Sequence, residues 1–144
     1  MSVEDDLRAV NESFYRAFRE RDLGAMERLW AQDVPVACMH PGMSVLSGRA
    51  AVMRSWRGIL QHPNAPVLSC SHVEVFVLGT SAFVTCLEGR AGHPPRLIAT
   101  NVFTMESGHW RIVHHHAAPL VAAPASVTQK APEDDEPADP YDLN

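Results

Sequence analysis

Two hydrophobic periods divide the chain, and the change between them falls near Pro66. Before it, apolar positions recur every three or four residues. Leu7, Val10, Asn11, Phe14 and Phe18 mark one face of a helix over residues 4–21. Ser2 stands where an N-cap belongs, with Asp5 three residues on and Glu4, Asp5 and Asp6 near the positive end of the helix dipole. Asp22 is placed to cap a second, short helix with Met26, Leu29 and Trp30 inward, ended by Asp33 and Pro35. Val36 to His40 alternate weakly as a strand, stopped by Pro41-Gly42. Ser47-Gly48 opens a third helix, Arg49 to about Gln61, with Val52, Trp56, Ile59 and Leu60 on its apolar face; Pro63 and Pro66 terminate it.

After Pro66 the period is two. Val67–Leu78 and Ser81–Gly89 flank Gly79-Thr80, and Arg96–Glu106 and His109–Ala117 flank Ser107-Gly108, so two hairpins with two-residue loops are expected. Helices followed by consecutive hairpins predict an α+β fold. Three N-terminal helices should pack on a curved, mostly antiparallel sheet and enclose a cone-like pocket.

The domain is expected over residues 1–121. Residues 122–144 carry six acids and several prolines with little apolar surface, a composition that predicts a disordered tail. Most of the formal charge of -5 is concentrated there. The rest is nearly neutral and lacks a basic stripe, so nucleic acid is not an expected partner. No apolar run approaches the roughly 18 residues of a membrane span. The acidic start Met-Ser-Val-Glu-Asp-Asp is unlike a signal peptide, which predicts a cytoplasmic protein. Cys38, Cys70 and Cys86 lie in apolar, strand-like segments without C-x-x-C spacing, and read as small hydrophobes in a reducing compartment.

The second hairpin permits a geometric argument about chemistry. With Ser107-Gly108 as the loop, Glu106 faces His109, and an unbroken ladder sets Phe103 against Ile112, Asn101 against His114 and Ala99 against His116. These residues share the core-facing side with Leu97, Met105 and Trp110. Asn101, His114 and His116 then become polar groups on a buried concave surface. They either bond one another and fix the ladder, or line a pocket and orient a ligand. A one-residue slip would swap the faces and bring His115 inside instead.

His40 ends the first strand beside the mouth of the cone, and histidine titrates where a general base should. Glu88 shares the inner face with Val84 and Cys86, where burial would raise its pKa. His114 and His116, with His40 as a third ligand, would imitate a three-histidine zinc site, but no acidic or cysteine motif of ligand spacing accompanies them. No metal and no cofactor is expected.

These residues carry a resemblance. Asp33-Val-Pro-Val-Ala-Cys-Met-His-Pro-Gly42, Leu46-Ser-Gly-Arg-Ala-Ala-Val52, Ser55-Trp56, Ala99-Thr-Asn-Val-Phe103 and Gly108-His-Trp-Arg-Ile-Val-His-His-His116 resemble the SnoaL-like branch of the nuclear transport factor 2-like superfamily, over roughly residues 5–120. The last strand is also similar to the association domain of calcium/calmodulin-dependent kinase II, a non-catalytic member. The resemblance implies a conical α+β barrel, usually a homodimer packed through its sheets. It implies no single activity, because the superfamily holds ketosteroid isomerase, dehydratases, cyclases and modules without activity. The isomerase's proton-shuttling aspartate corresponds to His40, before Pro41. Its oxyanion tyrosine corresponds to Phe14, and Tyr15, one position off, is expected to point elsewhere.

Two functions follow as expectations. One is a cofactor-independent isomerase, cyclase or dehydratase acting on a small apolar carbonyl compound. His40 would be its base, with Asn101 and His114 as donors to the enolate. Phe14, Trp30, Trp56, Glu88, Phe103, Trp110 and His116 would line its pocket. The other is a non-catalytic dimerising or ligand-binding module. An open cavity with His40 at its wall favours the enzyme; a core filled by Trp and Phe favours the module. Either form should be a homodimer through the sheet's outer face, where Ile98, Val102 and Val113 are expected.

Overall fold

The computed structural model describes residues 2–121. The tail expected over 122–144 lies outside the described residues. Helix α1 (Val3–Arg19) starts in a capping box: Ser2 Oγ accepts from Asp5 N–H, and the Asp5 carboxylate accepts from Ser2 N–H. Helix α2 (Leu23–Leu29) is capped by Asp22, whose carboxylate accepts from Ala25 N–H at 3.0 Å. Helix α3 spans Arg49–Gln61 and buries Val52, Met53, Trp56 and Leu60.

The strands are β1 (Ala37–Met39), β2 (Leu46–Ser47), β3 (Ser69–Leu78), β4 (Ser81–Gly89), β5 (Leu97–Glu106) and β6 (His109–Pro119). They form one sheet in the order β2-β1-β6-β5-β4-β3, antiparallel except where β1 runs parallel to β6. The sheet has edges at β2 and β3, so the cone is curved but not closed into a barrel. Both expected hairpin loops are present. Ser107 and Gly108 both take positive φ, at 52° and 80°, as a two-residue loop matched to strand twist requires.

Two bulges interrupt the ladders. One lies in β3 between Ser71 and Glu74, with His72 at φ 53°. The other lies in β6: Phe103 still pairs with Ile112, but Val102 pairs with His114, leaving Val113 as the extra residue. The core is a single cluster between helices and sheet, built around Phe14, Tyr15, Phe18, Trp30, Trp56 and Phe103. Its rings meet edge to face, Phe14 with Trp56 at 5.4 Å and Phe18 with Trp56 at 5.1 Å between centroids. No helix among the described residues is long and apolar enough to cross a membrane.

Candidate functional site

The bulge at Val113 decides which histidine enters the cone. Beyond it, Asn101 pairs with His115, and His115 is 1% exposed. Around these two residues lies a buried polar cluster contributed by α1, β4, β5 and β6. His115 Nδ1 sits 2.5 Å from Asn101 Oδ1 and is therefore the donor, because an amide oxygen can only accept. Asn101 Nδ2 donates to Asn11 Oδ1 at 2.9 Å and to Tyr15 Oη at 3.3 Å. The Tyr15 hydroxyl donates to Glu88 Oε2 at 2.5 Å and lies 3.2 Å from Cys86 Sγ. With Nδ1 protonated, His115 Nε2 carries the ring's lone pair, 4.0 Å from Glu88 Oε2.

Burial acts on the titrating members in opposite directions. It pushes the Glu88 carboxyl up to about 7, against the smaller opposing pull of the Tyr15 hydrogen bond. It holds His115 well below its ordinary value, and protonation of His40 would push it further in the same direction. The result is a carboxyl about half-protonated near neutrality and a neutral imidazole facing it across one site.

His40 stands nearby, 2% exposed, with its ring edge-on to Trp56 at 5.0 Å and 6.4 Å from His115. Its Nε2 is 2.7 Å from Ser55 Oγ on α3 and 3.8 Å from Cys38 Sγ. Burial lowers its pKa to about 4, so near neutrality it is an uncharged ring. Trp30 Nε1 and Trp56 Nε1 are buried donors that meet no acceptor among the described residues.

Of the residues expected from sequence, His40, Asn101, Glu88, Phe14, Trp30, Trp56 and Phe103 all lie inside the cone. Four placements need correction. His114 turns to the outer side of the sheet, half-buried, with Nδ1 2.9 Å from the Ala37 carbonyl oxygen, because Val113 takes one extra position in β6. His116 is exposed on the same side, paired with Thr100 rather than Ala99, for the same reason. Neither imidazole can share a metal with the buried His40. Trp110 is half-buried at the rim. It packs on the edge of the core and lines a surface groove of about 350 Å³ between α1 and the β5–β6 turn. Val113, expected outward, packs partly against the core. Among the described residues no group of three or more His, Cys, Asp or Glu side chains is placed to hold a metal ion.

Tyr15, Asn11, Cys86 and Ser55 belong to the cluster or touch it, although sequence reasoning gave them no such role; His115 enters it as the alternative that a one-residue slip allowed. For Tyr15 the signal existed: Leu7, Asn11 and Tyr15 are spaced by four, one turn apart on a single helix face. The expectation that Tyr15 points elsewhere is wrong, because α1 is wedged between sheet and helices and buries a wide arc that holds both Phe14 and Tyr15.

A sequence model of the SnoaL-like domain matches residues 7–122. The chain belongs to the SnoaL-like domain family. A candidate dehydratase of the NTF2-like family from Streptomyces avermitilis is 33% identical to this SnoaL-like chain. The similarity covers 82% of this chain and 96% of that one, with a TM-score of 0.73. A candidate calcium/calmodulin-dependent protein kinase type II association domain from Thiobacillus denitrificans is 36% identical, covering 78% and 94%, with a TM-score of 0.70. The F-box protein SKIP8 of Arabidopsis thaliana is 30% identical over 113 residues, 78% of this chain. The chain spans about half, 49%, of that curated relative's length.

Proposed function

We propose that this SnoaL-like chain is a dimerising module whose cone is closed in the resting protein. The observation that carries the reading is the sealing of the cone. Phe14, Trp30, Trp56, Phe103 and Asn101 are all 0% exposed. A void able to admit water would leave its lining partly exposed, so at these residues the rings and the polar cluster fill the space themselves. The similarity to a candidate kinase association domain supports a role in assembly, as does the match to about half of a longer F-box protein.

The outer sheet face is suited to a second copy. Ile98 is 44% exposed there, Val102 is partly exposed beside it, and Phe76 stacks on Phe83 at 4.6 Å. A stable dimer needs about 800 Å² from each partner, and the outer face of the curved sheet is the surface that would provide it. Light scattering at micromolar concentration should give twice the 15.9 kDa chain mass, and Ile98→Asp should return it to monomer. A wild-type monomer under those conditions overturns the reading.

A second reading, proton-transfer catalysis on a small carbonyl compound, is favoured by one specific observation. Glu88 and His115 have pKa values driven apart at 4.0 Å, the arrangement of a paired acid and base. The unpartnered indole N–H groups of Trp30 and Trp56 would supply donors to a carbonyl oxygen. This reading requires the cone to open. Saturable binding of a small cyclic ketone that moves the His115 ring resonances would establish it over the closed module.

A further inference from the structure

The bulge at Val113 that brings His115 into the cone sends His114 and His116 out together. They stand two positions apart on β6, so both side chains project from the outer face of the sheet. Their ring centroids are 6.2 Å apart, and the ring planes are inclined by 59°. Strand β1 runs parallel beside them, pairing Ala37 with His114 and Met39 with His116. Cys38, between those two, is 0% exposed and faces inward, so Met39 lies on the outer side with the histidines.

We propose that His114, His116 and Met39 form a copper(I) site on the outer face of the sheet. The tautomer of His114 is the first support. A carbonyl oxygen can only accept, so Nδ1 carries the proton that bonds the Ala37 carbonyl oxygen at 2.9 Å. Nε2 then holds the lone pair and is the nitrogen left for a metal. An imidazole N–H bonded to a backbone carbonyl is also the outer support that orients metal-binding histidines. The same bond leans the His114 ring toward β1, the strand that carries Met39.

The spacing is the second support. A metal–nitrogen bond of about 2.0 Å puts the centroids of two imidazoles on one ion about 5–6 Å apart. The observed separation is 6.2 Å, and a small rotation of the exposed His116 ring closes the remainder. The donor set then selects the metal. Imidazole takes zinc, copper, nickel or iron, whereas a thioether is a soft ligand that favours copper(I). The strand partners of the two histidines are Val102 and Thr100 on β5 and Ala37 and Met39 on β1. None of these four is a carboxylate that would favour a harder ion. All three ligands come from one chain, so the inference is independent of the dimer.

The test offers copper(I), as its bicinchoninate complex under argon, to the full chain carrying Cys70→Ser, which removes the half-buried thiol as a competing soft ligand. One copper per chain should move to the protein, and X-ray absorption at the copper edge should show two nitrogen neighbours and one sulfur. His116→Ala, at an exposed position, should weaken binding about tenfold or more while leaving the urea-unfolding midpoint unchanged. Met39→Leu should remove the sulfur neighbour and weaken copper(I) binding, with the weaker binding of zinc(II) unaffected. The proposal is overturned if the chain takes no copper from bicinchoninate, or if His116→Ala binds as tightly as its parent. It is equally overturned if the sulfur neighbour persists in Met39→Leu, which would assign the metal to Cys38 or Cys86.

Discussion

Glu88→Gln should stabilise the protein above neutrality and leave it nearly unchanged in mild acid. Glu88 is 1% exposed, and its pKa rises from 4.5 to about 7, mainly through burial, with the Tyr15 hydrogen bond opposing. The gap, 7 minus 4.5, is about 2.5 pH units, and each is 1.36 kcal/mol, so the whole effect is on the order of 3 kcal/mol. The sign follows from where the proton sits. Between these values the folded chain keeps a proton that the unfolded chain gives up. The stability is therefore full below about pH 4.5 and is lost as pH rises to about 7. His40 works in the opposite sense: lowered from 6.5 to about 4, it costs stability as pH falls through that window. Subtracting the variant's profile from the wild type cancels the histidine contributions. Glutamine keeps the shape and can still accept from Tyr15, so the variant should match the wild type near pH 4.5 and exceed it by on the order of 3 kcal/mol at pH 8. Urea unfolding followed by tryptophan fluorescence across pH 4.5–8 measures this. A difference that stays constant with pH, or a variant less stable at pH 8, refutes a buried, protonated Glu88.

Asn101→Ala strands the His115 Nδ1 donor and Asn11 Oδ1, and should cost about 1–3 kcal/mol in urea unfolding at pH 7. Arg49→Ala should cost about 2 kcal/mol, because its guanidinium donates to the Glu27, Trp30 and Ala31 carbonyls at the end of α2. Loss of only a few tenths in the melt would show that these bonds are replaced by water. The His40 ring should remain neutral in an NMR titration until pH approaches about 4, and a midpoint near 6.5 would mean that it is solvated rather than packed on Trp56.

Local pattern alone located α1, α2, α3 and both hairpins, because each is encoded by residues close in sequence. The Ser2 and Asp22 caps, the 3–4 spacing of Leu7, Phe14 and Phe18, the period of two after Pro66, and Gly79 and Gly108 in their turns all act over a few positions. The hairpin register put Asn101 on the inner face and helix periodicity put Trp56 there, and both are buried; His40, expected beside the mouth of the cone, is buried with them. What the tertiary structure decided is the phase of β6. His114, His115 and His116 are chemically alike, so no hydrophobic alternation resists a slip of one position. The choice belongs to partners distant in sequence: β1 pairs Ala37 with His114, and the bulge at Val113 reconciles that pairing with the fixed turn at Ser107-Gly108. The same holds for Tyr15. A helix periodicity marks which residues share a face, but only the sheet on one side and the helices on the other set how wide an arc of α1 is buried. That width brought the Tyr15 hydroxyl to Glu88, 73 positions along the chain.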